Sequence, residues 1–144
     1  MDVDDEIVHE EECSIPEIFS KKGEAYFRQL EATILSKQMK SLNPKVLSCG
    51  GGIVLHENNR NFLKKNSLVV WFFASPHVIL NRTDISQRPL LQGENPEDKL
   101  TKILNERKDL YVQTAHVVVS TEQRSLQQTS EKILHELEKI WKIK

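Results

Sequence analysis

The chain reads as an α/β fold, and two observations say so. Short apolar runs at 46–49 (VLSC), 68–74 (LVVWFFA) and 116–120 (HVVVS) are continuous rather than alternating, and rich in β-branched and aromatic residues. Strands covered on both faces of a parallel sheet read this way. Between them lie stretches of helical periodicity, and strands alternating with helices make an α/β domain. The length of 144 residues suits one such domain.

Taken in order, the first helix is predicted over about 15–39, with Ile18, Phe19, Phe27, Leu30, Ile34 and Leu35 on one side. Strand 46–49 then runs into Gly50, Gly51 and Gly52. After strand 68–74, Ser75-Pro76 supplies a cap and a first-turn proline for a short helix through Leu80. Residues 84–96 are polar, with two prolines and Gly93, too irregular for an element and suited to a surface loop or a closing lid. Asn95-Pro96 opens a helix carrying Leu100, Ile103 and Leu104. The last helix sets Ile133, Leu134, Leu137, Ile140 and Trp141 at helical spacing, facing a core.

Composition narrows the function. Hydrophobic residues at 38% and charged residues at 28% are ordinary for a soluble globular chain. A net charge of −1 gives no electrostatic case for nucleic acid or an anionic membrane as partner. Cys13 and Cys49 stand alone, as in a reducing cytosol. The acidic N-terminus is no signal peptide, and 68–74 is too short to span a bilayer. The expectation is a cytoplasmic single domain over 1–144. His9, His56, His77, His116 and His135 show no metal-ligand spacing. Trp71 and Trp141 read as core aromatics, and Cys49 as a small buried hydrophobe.

Residue by residue, the polar candidates look bland. Asp2, Asp4 and Asp5 read as a solvated, frayed end. Arg28 and Glu31, at i and i+3, read as a surface ion pair. Arg107 reads as a dipole partner closing a helix, and Arg88 as a loop residue. The glycine triplet is no nucleotide cradle, because that needs Gly-Lys-Ser/Thr where this chain has Gly52-Ile53-Val54.

Together, in order and spacing, DVDDEI, GEAYFRQLE, SCGGGIV, RPLL and NERKDLY resemble shikimate kinase across essentially the whole chain. The resemblance implies a P-loop NTPase-like fold of the nucleoside monophosphate kinase type, a parallel sheet ordered 2-3-1-4-5 with flanking helices. It implies ATP-dependent phosphorylation of shikimate to 3-phosphoshikimate in aromatic amino acid biosynthesis, with ATP and Mg²⁺ as cofactors; a monomer is the expected working unit. Asp4 would contact the substrate hydroxyls and accept the proton of the attacking one. Arg28 and Arg107 would clamp the shikimate carboxylate, each contact worth about 1.5–3 kcal/mol. Gly50, Gly51 and Gly52 would let the ring lie against the main chain. Glu31 would orient Arg28. Arg88, on a lid over 84–96, would neutralise charge on the transferring phosphoryl group. Asp2 would serve Mg²⁺ through water, and Arg82 and Arg124 would sandwich the adenine.

One departure matters. The family's P-loop, with the central first strand and first helix around it, precedes DxD, and no GxxxxGK[ST] occurs in these 144 residues. The chain is therefore expected to be an N-terminally truncated kinase of doubtful activity by itself. Strands 46–49 and 68–74 should then face each other across a gap or pair directly. The alternatives are a non-catalytic shikimate-binding remnant, or a kinase of another small polyol such as gluconate.

Overall fold

The structure, a computed structural model, describes residues 1–40 and 43–142, with side chains described to residue 140. Asp2 starts the first helix. Its Oδ1 accepts a hydrogen bond from the Asp4 N–H at 2.8 Å, capping α1 (Val3–Glu11). Asp4, Asp5 and Glu6 fill the first turn, where the helix dipole favours negative charge. Val3 and Ile7, one turn apart, are fully buried. The acidic start is thus a capped, packed helix and not the frayed end that composition suggested.

Helix α2 (Ile15–Met39) begins in a reciprocal capping box, with the Ser14 N–H donating to Glu17 Oε2 at 3.0 Å. At Gly23 the backbone turns left-handed (φ +81°), a conformation that suits glycine, so the single expected helix is two segments meeting at a kink. The second segment buries Phe27, Ile34 and Leu35 and carries Glu24, Arg28 and Glu31 along one flank. Val3, Ile7, Ile18, Phe27 and Ile34 form one apolar cluster between α1 and α2. Leu35, Ile53, Val54 and Leu63 form a second. Each such side chain contributes about 1.5–3 kcal/mol by leaving water. Leu63 belongs to α3 (Glu57–Asn66), a helix whose sequence, ENNRNFLKKN, is too polar to announce itself: Asn59 and Leu63 are its buried residues.

Strand β1 (Val70–Phe73) pairs in parallel with β2 (Val117–Ser120), Val70 opposite Val117. Segment 46–49 does not form a strand of the expected length. Ser48 makes an isolated parallel bridge to Asp2, with Val3 N–H donating to Ser48 O at 2.9 Å and Ser48 N–H to Met1 O at 2.8 Å. Among the described residues no pairing joins 46–49 to β1, so the direct pairing expected as one option does not form. The two strands are not covered on both faces either: Phe72 is 53% and Val118 51% exposed.

Between the strands run α4 (Pro76–Arg82) and α5 (Pro96–Thr114). Arg107 lies inside α5 and does not close it. Residues 84–96 hold two short 3₁₀ turns, Ile85–Gln87 and Pro89–Leu91, so they are more regular than their composition suggested. Asp84 caps the first, accepting from the Ser86 N–H at 2.9 Å, and buried Leu91 anchors the second. Helix α6 (Leu126–Lys142) packs on β2 with Ile133, Leu137 and Ile140 half-buried. Leu134, expected in the core, is instead 59% exposed. The Trp141 side chain lies outside the described residues. Trp71 is half-buried and stacks on Tyr111.

Candidate active site

The C-terminal half of α2 aims Arg28 inward. Its Nη1 donates to Glu31 Oε2 at 2.7 Å, while Nε and Nη2 donate to Glu24 Oε1 at 3.1 and 2.8 Å. The pair is buried, Arg28 at 7% and Glu31 at 1% exposure, so the surface ion pair read from the i, i+3 spacing is corrected. Burial works against the Arg28 charge, but the bonds to Glu31 and Glu24 outweigh it and hold its pKa above the ordinary range. Two carboxylates on one guanidinium also fix the plane of that group.

The glycine triplet lies across this pair. A Cβ on Gly52 would overlap the Arg28 guanidinium, and one on Gly50 would stand 3.2 Å from Glu31 Oε1 and 3.3 Å from Asp4 Oδ1. Those two oxygens are buried and have no hydrogen-bond partner among the described residues. Burial raises the Asp4 pKa, the Arg88 charge opposes this, and the Asp2 charge adds to it. Burial likewise raises the Glu31 pKa against the Arg28 bond, with the Asp4 charge adding and the Arg107 charge opposing. Arg107, on α5, lies near enough for its charge to act on Glu31, though among the described residues it forms no ion pair with it. Arg88 reaches the cluster from the 84–96 segment, with Nη1 3.5 Å from Asp4 Oδ2 and a side chain 55% exposed.

Beside this cluster an open cleft of about 490 Å³ separates α1 from the 84–96 segment. Asp2, Asp4 and Asp5 line one wall, Arg82 and Arg88 the other. Asp2 is engaged at both oxygens, by the Asp4 N–H at 2.8 Å and the Ser48 hydroxyl at 2.7 Å. Arg82 donates to Thr121 Oγ1 and Thr121 O, both at 3.1 Å, and Arg124 donates to the Ser120 carbonyl. These two guanidinium groups gather at the C-terminal end of β2.

The shikimate kinase family model matches residues 1–138. The chain belongs to the shikimate kinase family. A shikimate kinase of Acinetobacter baumannii (strain AYE) is 39% identical over 135 residues, covering 93% of this chain and 74% of that protein. One from Thermodesulfovibrio yellowstonii is 38% identical over 144 residues, covering 97% and 80%. Among solved structures, shikimate kinase from Acinetobacter baumannii in complex with shikimate superposes with a TM-score of 0.90 at 38% identity, covering 94% of this chain and 76% of that one. The Aquifex aeolicus enzyme gives 0.80, also at 38% identity, with 95% and 79% covered. The parallel β1–β2 pair with its flanking helices is thus part of a P-loop NTPase-type fold.

Of the residues the resemblance singled out, Asp4, Arg28, Glu31, Gly50, Gly52 and Arg88 converge on one place, Arg107 lies near enough for its charge to act on Glu31, and Arg82 and Arg124 gather at a second place. Two residues escaped the sequence reading. Glu24 holds the Nε edge of Arg28, and its signal was the i, i+4 spacing. Tyr111 donates its hydroxyl to Gly51 O at 2.8 Å, and its signal was the same spacing from Arg107.

Proposed function

We propose that this chain carries the acceptor site for ATP-dependent phosphorylation of shikimate, as its family membership implies. The observation that carries the reading is the buried pairing of Arg28 with Glu31 against Gly52, beside two carboxylate oxygens at Gly50 that have no partner among the described residues. A small polyol acid needs both halves of that arrangement: an anchored cation for its carboxylate and hydrogen-bond acceptors for its hydroxyls.

In the proposed mechanism, Arg28 and Arg107 bind the substrate carboxylate, and the glycine backbone lets the ring approach. Asp4 accepts the proton of the attacking hydroxyl. A pKa raised by burial brings its basicity closer to neutral pH, which suits a general base. Arg88, exposed and 3.5 Å from Asp4, is placed to swing toward charge that develops in transfer, with 84–96 as its lid. ATP, when bound, supplies the phosphoryl group, and its adenine would lie by Arg82 and Arg124. Asp2, already bonded at both oxygens, would serve Mg²⁺ through water. Among the described residues no helix is long and apolar enough to cross a membrane. A cytoplasmic monomer acting on a small molecule is the reading that goes with the family membership.

The test has two arms. Calorimetry with shikimate and ATP separately reads binding: shikimate heat supports the acceptor site, and its absence overturns it. Coupled ADP release is then measured on the chain extended N-terminally by a strand–GxxxxGK[ST]–helix unit. Shikimate-dependent release supports the kinase, whereas release with gluconate in place of shikimate overturns the substrate assignment.

A further inference from the structure

We infer that Tyr111 is a positioning residue whose hydroxyl ties the glycine triplet to the turn of α5 that carries Arg107, so setting the spacing between backbone cradle and guanidinium. The inference rests on the shikimate reading above and adds a residue to it.

The geometry is specific. The Tyr111 hydroxyl donates to Gly51 O at 2.8 Å, across 60 positions of sequence. A Cβ on Gly51 would stand 2.8 Å from that same oxygen, so the loop closes directly on the tyrosine and leaves no room for a side chain. The ring is held independently of the loop. It stacks on Trp71 of β1 at 5.2 Å between centroids and 23° between planes, and Trp71 in turn meets the edge of Phe73 at 5.6 Å. The hydroxyl thus projects from a fixed platform. Arg107 lies four residues earlier, on the same face of α5, and its charge acts on Glu31, the partner of Arg28.

The physical need is equally specific. Three successive glycines have the widest backbone freedom of any tripeptide and no side chains to anchor them. Two turn bonds, Ile53 N–H to Gly50 O at 3.1 Å and Leu55 N–H to Gly52 O at 3.0 Å, use the outer carbonyls. The middle carbonyl is the one Tyr111 takes. Without that bond the loop would have to be ordered when the ligand binds, which weakens binding.

The test is calorimetric titration of shikimate into the whole chain, its Tyr111→Phe variant, Arg107→Lys, and the double variant. Phenylalanine keeps the ring on Trp71, so the thermal midpoint should stay close to that of the parent. Binding by Y111F should be about three- to ten-fold weaker, the worth of one hydrogen bond. In the R107K background the same change should cost less than about two-fold, because the two residues act as one unit. A merely structural tyrosine would give independent, multiplying effects, and that result overturns the inference, as does unchanged binding by Y111F. If the parent chain binds no shikimate, the proposed function falls first and this inference with it.

Discussion

Asp4 and Glu31 each turn toward Gly50 one buried carboxylate oxygen with no hydrogen-bond partner among the described residues, at 3.3 and 3.2 Å from the point where a Cβ would stand. A buried acceptor without a donor costs stability, and two carboxylates near one another raise that cost. Under the proposed function, these two oxygens are the acceptors for the substrate hydroxyls.

That arrangement has a pH signature. Both pKa values are raised, chiefly by burial. Above the ordinary carboxylate range, and below the raised values, the folded state keeps protons that the unfolded chain has released. Stability contributed by these groups therefore falls as pH rises through that window. Asp4→Asn removes one of them. Its thermal midpoint at neutral pH should exceed the parent's by a few degrees, the excess should vanish in acid, and shikimate-dependent ADP release in the P-loop-extended chain should be lost. Scanning calorimetry across pH checks the first two, and a variant less stable than the parent at pH 7 would contradict them.

Gly52→Ala should separate binding from folding. The new Cβ overlaps the Arg28 guanidinium, which is bonded on two edges and has little room to yield. Overpacking of this kind costs about 1–3 kcal/mol. Displacing Arg28 should weaken shikimate binding by at least tenfold on top of that. Urea unfolding and calorimetry read the two effects.

Removing Arg28 alone should be worse for the fold than removing the pair. Arg28→Ala leaves Glu31, 1% exposed, as an unpaired buried charge, at a cost of about 3–5 kcal/mol. The double variant R28M/E31Q takes away the charge as well and should recover most of that stability while binding no shikimate. Chemical denaturation of the two variants side by side decides it.

Cys49 should be a slow thiol. Burial, with the charges of Glu31, Asp2 and Asp4, pushes the Cys49 thiol up to about 11. Little thiolate forms at pH 8, so Cys49 should react with a disulfide reagent far more slowly than a free thiol. Adding denaturant should abolish the lag. Fast labelling of Cys49 in the native chain, mapped by peptide mass, would contradict this.

The α/β class, the helical run over 15–39 apart from its kink at Gly23, and the strands within 68–74 and 116–120 were legible because apolar period and β-branched runs are local properties, whereas 46–49, read the same way, forms only an isolated bridge. The family was legible too, through residues whose spacing survives without any neighbour. The capped acidic helix α1 was not. DVDDEI looks solvated until Asp2 is seen bonding the Asp4 N–H and Ser48. Polar α3 hides for a related reason: its two buried residues, Asn59 and Leu63, are too few to set a period.

What the sequence determined by itself was the set of groups: a cluster of carboxylates, several arginines and three glycines at a family's spacing. What only the tertiary structure decided was their state. Arg28 and Glu31 are a buried pair and not a surface one, two carboxylate oxygens have no partner among the described residues, and Tyr111 holds the middle glycine. Spacing is written along the chain, but burial depends on which distant segments cover a group, and burial is what shifts a pKa or gives an ion pair its strength.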